Sequence, residues 1–263
     1  MRYLRLIGRF VRASAQQDLA YRANFLISLL HSVLNLGVGV VGVTVLFGQV
    51  ETLHGWDLRG TLALLGVYLN VSALRGLFLG PSLDALAGMD GEVWSGRLDF
   101  TLLRPVDIQF LASFRYWRLF SLTDLLLGMG VVGAALSLPG SPLTAGRLAA
   151  FAVSLAAGLT ILYALLLGFT ALVFWSPGFL FGWLFNGIFQ MARYPVAIYP
   201  GWLRPALTWI VPVGLITTAP AQALTGDLAL PTLLGGVGLA GLMLTAASRL
   251  FRTGLRRYAS ASS

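Results

Sequence analysis

The sequence predicts an all-α integral membrane protein of six transmembrane helices, and three observations carry that prediction. Of its 263 residues, 57% are hydrophobic and only 11% are charged, a balance outside the range of soluble domains. Apolar runs recur at about 20 residues, the length that crosses a hydrocarbon core roughly 30 Å thick. The 18 basic residues are all arginines and crowd into alternate connecting segments, which is a signal of orientation.

The first element is set by Arg2, Arg5, Arg9 and Arg12, which recur at helical spacing with Leu4, Ile7, Phe10 and Val11 on the opposite side. Residues 1–22 therefore read as an amphipathic helix lying in the membrane interface. An arginine every third or fourth residue leaves no apolar core for a secretory signal. The first span is 23–47 and the second 58–79, stopping before Pro81. A third at 119–138 ends at Pro139-Gly140-Ser141-Pro142, and a fourth at 148–174 ends at a turn, Trp175-Ser176-Pro177-Gly178. Residues 179–191 are apolar but short. Pro195, Pro200, Pro205, Pro212 and Pro220 punctuate the next stretch, and a last span occupies 230–250.

Charge decides whether the proline-rich part holds a seventh crossing. With six crossings and both termini cytoplasmic, fourteen of the 18 arginines lie inside and Arg59, Arg147, Arg193 and Arg204 lie outside, as the positive-inside rule requires. A seventh would export the carboxyl-terminal cluster of Arg249, Arg252, Arg256 and Arg257. Residues 192–228 are thus expected as broken or re-entrant helices on the outer side, within a single transmembrane domain, 1–263.

Composition also excludes chemistry. Without lysine there is no GxxxxGK[ST] phosphate loop. Without cysteine, and with only His31 and His54, no Cys/His zinc site can be assembled. The net charge of +8 reflects orientation in lipid, not binding of nucleic acid.

The segment 80–118 is too polar to cross and falls on the cytoplasmic side. Residues 83–93 suit a helix, and Gly96 and the Arg104-Pro105 step bracket a second short one from Leu98 to Leu103. Trp94, Leu98, Phe100, Leu102 and Leu103 give this charged segment an apolar component that a merely solvated loop does not need, so it reads as a docking element. Within the spans, His31, Asn70 and Asp124 are candidates for a translocation path, because polar groups in a membrane are costly unless used or paired. Asp124 is also expected to pair with Arg118 or Arg75. The segment from Tyr194 to Pro205, YPVAIYPGWLRP, suits an aromatic belt at the membrane surface.

The stretch G-R-L-D-F-T-L-L-R-P-V-D from Gly96 to Asp107, set between the second and third spans of such a chain, resembles the cytoplasmic loop of ABC-2-type transporter permeases. It is most similar to a bacterial subfamily with a G-x-L-D-x-x-L-L-R-P-V signature. The resemblance implies half of an ATP-driven transporter, an exporter, in the cytoplasmic membrane. It implies pairing with a second permease, homologous or identical, and with separate ATP-binding cassette subunits that carry the ATP and Mg; no cofactor belongs to this chain. It further implies that Glu92, Gly96, Leu98, Asp99, Leu103, Arg104 and Pro105 couple the chain to its ATPase, a chain that is itself no enzyme. The rival reading, an ATP-independent secondary transporter or channel, calls for a charged relay at mid-membrane and no docking loop.

Overall fold

The amino-terminal arginine pattern folds as expected, into α1 (Arg2–Ala20) with Arg5, Arg9 and Arg12 exposed. The computed structural model describes residues 2–20, 22–88, 90–176 and 181–258, and the side chains at 2, 22 and 181–184 lie outside that description. The remaining helices are α2 (Arg22–Phe47), α3 (Leu58–Leu74), α4 (Gly80–Ala87), α5 (Leu98–Leu102), α6 (Ile108–Phe114), α7 (Ser121–Ser137), α8 (Ala145–Leu172), α9 (Phe181–Gln190), α10 (Leu203–Pro205), α11 (Val213–Thr225) and α12 (Leu230–Arg257). Among the described residues there is no β-strand, and four helices are long and apolar enough to cross a membrane: Ala23–Phe47, Leu58–Ala87, Ala145–Leu172 and Leu230–Arg257. Ser121–Ser137 is apolar but shorter. The turn at Pro177-Gly178 and the start of 179–191 fall outside the described residues.

Three expected boundaries move, each for a physical reason. The helix begun at Leu58 does not stop before Pro81; it runs on through a π-helical turn, Arg75–Leu79, into α4. Pro81 has no N–H to give the Leu77 carbonyl four residues back, and the Arg118 backbone N–H donates to that carbonyl instead, at 3.0 Å. The helix expected at 83–93 ends at Ala87, where Gly88 turns extended. The last helix continues past Leu250 to Arg257, which puts Arg256 and Arg257 in its last turn, where cations favour the helix dipole.

The bundle is layered in the order α12, α8, α11, α3, α7, with α2 on the outer side of α3 and α7. Glycines set the closest approaches. A Cβ at Gly66 would lie 2.6 Å from Val132 Cγ2 and 2.8 Å from its backbone nitrogen, so α3 and α7 touch nearly backbone to backbone. A Cβ at Gly158 would lie 3.0 Å from the Ile216 Cα and carbonyl, the carbonyl that Pro220 leaves without its helical donor.

The turns gather at two ends. At one, Asp57 caps α3 by accepting from the Gly60 N–H at 2.7 Å, Arg59 donates to the Ser141 carbonyl at 2.9 Å, and Arg147 donates to the Pro142 carbonyl at 3.0 Å. Arg147 also lies against Gly226, whose φ of +95° ends α11 and is a conformation that glycine adopts without a Cβ penalty. The other end holds α1, the chain from Gly88 to Phe120 and the last turn of α12.

Residues 192–228, expected as broken or re-entrant helices, include α11 as their last third, and α11 is enclosed between α8 and α3 with Val213, Ile216, Thr217 and Ala221 fully buried. The Thr217 hydroxyl donates to the Ala192 carbonyl at 2.8 Å. The 3-10 turn that follows α9, Met191–Arg193, therefore meets α11, and the proline-rich stretch from Tyr194 to Pro212 is an excursion that closes on itself.

Candidate functional site

The chain from Gly88 to Phe120 is built as a hairpin-like knob on the second end of the bundle. Glu92 N–H donates back to Ala85 and Val93 N–H to Leu86, at 2.9 and 3.2 Å. Gly96, at φ +72°, then reverses the backbone in a conformation that other residues adopt only with strain. Leu98 N–H returns to the Glu92 carbonyl at 3.0 Å and its side chain is fully buried in the core. Leu98 is thus the nail that fixes α5.

Glu92 is an internal staple. Its carboxylate accepts from Thr101 at 2.7 Å and from Arg115 at 2.6 Å, the one ion pair among the described residues. This joins the Gly91 turn, α5 and the end of α6, and all three partners are at least half-buried. Charge-assisted bonds of this kind are worth more than neutral ones, and removing one partner strands the other. Arg115→Met is expected to lower stability by about 2 kcal/mol and to open 94–107 to limited proteolysis. The double variant Glu92→Met with Arg115→Met should recover part of that loss, as read by thermal unfolding, because no carboxylate is then left unpaired.

What the staple holds outward is apolar. Phe100 is 72% exposed, Leu103 82% and Trp94 59%, flanked by exposed Arg97, Arg104, Pro105 and Asp107. Beside them opens a polar recess of about 580 Å³, where Asp84, Asp90, Arg97, Arg104, Arg115 and Arg118 face Phe100. Asp99 points instead toward Tyr258 at the end of α12; burial, and after it the Asp99 carboxylate, raises the Tyr258 hydroxyl above the usual phenol range, so it keeps its proton at neutral pH.

The knob is wired to the bundle. Asp107 caps α6 by accepting from the Phe110 N–H at 2.9 Å. From α6, Gln109 donates to Ser248 on α12 at 3.0 Å and to Tyr163 on α8 at 3.3 Å, and Ser113 lies 2.7 Å from the same Tyr163 hydroxyl. On the other side α1 grips the chain, Ser14 accepting from the Trp117 N–H at 3.2 Å and Asp18 from the Leu119 N–H at 2.9 Å.

The residues singled out by sequence thus divide. Glu92, Gly96 and Leu98 shape the knob from within, while Leu103, Arg104 and Pro105 stand on its surface and Asp99 faces α12. Sequence reasoning missed the partners Thr101, Arg115, Gln109, Tyr163 and Ser248, whose links to one another span up to 139 positions and leave no local signature. The other candidates do not converge. His31 is exposed on α2. Asn70 faces Gly128 across the α3–α7 seam, its buried Oδ1 without a donor among the described residues. Asp124 lies one turn from Gly128 along α7, half-buried, and it forms no ion pair with Arg75 or Arg118 among the described residues; the expected pairing is absent.

A family model described as ABC-2 family transporter protein matches residues 33–262. No curated protein matches the chain. The family match takes in every helix from α3 to α12 and most of α2, and with them the apolar spans, the knob and the helices to which it is tied. From apolar spans wide enough for a bilayer to the family match that encloses them, the observations meet in one conclusion: the chain is a multi-pass membrane protein that belongs to the ABC-2 transporter family, whose members are the membrane subunits of ABC transporters and associate with ABC ATPases.

Proposed function

We propose that this chain forms half of the translocation path of an ATP-driven exporter and is driven through its α5 knob by a separate ATPase. In this reading it crosses the cytoplasmic membrane of a bacterial-type cell six times: α2, α3 with its extension, α7, α8, α9 stacked end to end on α11, and α12. The fifth crossing is thus two half-helices, which accounts for an apolar segment at 179–191 too short to span alone. Both termini lie inside, and the knob shares the inner side with α1 and the arginines of α12.

The observation that carries this reading is the exposed pair Phe100 and Leu103, set on a rigid base and tied through Gln109 to α8 and α12. An ATPase groove that takes up the pair buries apolar area, and the surrounding charges select the cognate partner. Closure of two ATPases on ATP and Mg then moves α5 and α6, and the Gln109 bonds pass that motion to two spans as rigid-body displacement. Exposed apolar faces on α2 and α12, each only 17% buried over its most apolar stretch, fit lipid and a second permease.

Co-purification of the tagged chain with ATP-binding subunits from its own source tests the reading. Recovery of an ATPase with the intact chain, and its loss with Leu103→Glu on the exposed face of the knob, is the expected result. An intact chain that recovers no ATPase in detergents that preserve its fold overturns it.

A further inference from the structure

The polar groups that do converge inside the bundle are ones the sequence did not single out. Thr61, Leu65, Tyr68, Ser72 and Arg75 fall on one stripe of α3 at alternating spacings of four and three. At its lower end Arg75 donates to the side-chain carbonyl oxygen of Asn186 and lies over Phe185 and Phe189, 5.2 and 5.7 Å from their centres. Tyr68 stacks on Phe189 at 5.5 Å. Further along, Arg193 reaches from the end of α9 to the Asn35 carbonyl of α2 at 3.2 Å, against Gly39. Tyr68 sits in the field of both guanidinium groups.

These two cations are under-used. A guanidinium has five N–H donors, and the bonds to Asn186 and Asn35 engage few of them. Among the described residues no carboxylate forms an ion pair with Arg75 or Arg193; Asp84 acts on Arg75 only from a longer distance. Asn35 stands at the centre of the Ala23–Phe47 span, so Arg193, expected from the charge pattern on the outer side, carries its charge instead to mid-membrane, where an unmatched cation is costly. The hydroxyl of Thr61 on the same stripe is buried without a partner among the described residues. The Phe185 and Phe189 rings add apolar surface beside Arg75, and Leu34, Val38 and Val41 are exposed on α2, the helix that Arg193 reaches.

We propose that the stripe between α2, α3 and α9 binds an amphiphile through its anionic headgroup, a phosphate or carboxylate held by Arg193 and Arg75, with its apolar part against α2 and the Phe185–Phe189 pair. Planar guanidinium groups match such anions in bidentate geometry. Two of them along one stripe, on opposite sides of Tyr68, offer successive positions for one headgroup. The proposal names a substrate class for the exporter's translocation path and rests on that reading of the chain.

Binding by the purified full chain tests it without the ATPase. Fluorescent phosphatidic acid is compared with phosphatidylcholine of the same chains, and inorganic phosphate is used as competitor. The expected result is a preference of about tenfold for the anionic lipid, the worth of one charge-assisted bond. Arg193→Gln should erase the preference without shifting the thermal midpoint, Arg193→Lys, which keeps the charge but loses the bidentate fork, should keep only part of it, and Arg193→Glu should turn it toward a cationic amphiphile. Competition by free phosphate supports recognition of the headgroup anion itself, and binding of the lipid without such competition supports the whole amphiphile. Equal binding of the two lipids, or an unchanged preference in Arg193→Gln, overturns the site. So does joint loss of fold and binding in both Gln and Lys variants, which assigns Arg193 to holding α2 alone. ATPase recovery, measured in parallel, is expected to be unaffected by Arg193→Gln, so failure of this site and failure of the ABC reading are told apart.

Discussion

Glutamates at both Phe100 and Leu103 are expected to abolish recovery of the ATPase while leaving the permease folded in the membrane. The two side chains are the most exposed apolar groups of the knob, at 72% and 82%, so the bundle does not depend on them. At an interface they occupy the place of buried anchors, and such residues cost upward of 2 kcal/mol each when truncated. Together the loss is on the order of 4 kcal/mol, roughly a thousandfold in affinity. Leu98→Glu, five positions from Leu103 but fully buried, should instead unfold the knob and lower the thermal midpoint. The contrast between the two variants separates a docking surface from its foundation, and size-exclusion profiles with and without the ATPase read it directly.

Leucine at Gly66 is expected to have the largest effect on the fold. Its Cβ alone would meet Val132 Cγ2 at 2.6 Å and the Val132 nitrogen at 2.8 Å, and a backbone atom cannot swing aside as a flexible side chain can. The α3–α7 seam must open, and α3 also bears the π turn and α4, from which the knob begins. Overpacking of this kind costs typically up to about 3 kcal/mol. Gly130→Leu is the matched control, because nothing lies within 4 Å of a Cβ there. Thermal unfolding in detergent should show a clear loss for the first and little change for the second.

The knob and the α3–α7 seam differ in how far the sequence alone reveals them. The α1 arginine face, the apolar span Ala23–Phe47 and the short helix between Gly96 and Pro105 are local patterns of spacing and breakers, and they stand where the residues place them. The passage of the helix through Pro81 was not legible, since it depends on a donor at Arg118, far along the chain. The internal bonds of Glu92 are not legible either, because its partners Thr101 and Arg115 become neighbours only after the chain turns back on itself. The burial of α11 is obscured by Pro220, a residue that normally interrupts a helix; here the helix runs on through it and Gly158 leaves room beside the Ile216 carbonyl that Pro220 leaves without its donor. The polar residues that stood out as isolated letters, His31, Asn70 and Asp124, do not meet, whereas Arg75 and Arg193 do approach one site through α9, a helix whose position no local pattern reveals.

The central claim is that α5 is the part of this chain that touches the ATPase. The chain contains no cysteine, so a single introduced thiol is a unique label. Leu103→Cys, carrying a short photo- or thiol-reactive cross-linker in the assembled complex, should link to the ATPase subunit in high yield, while Val38→Cys, exposed on α2, should not. Cross-linking of Val38→Cys to the ATPase, with Leu103→Cys left unlinked, would contradict the account.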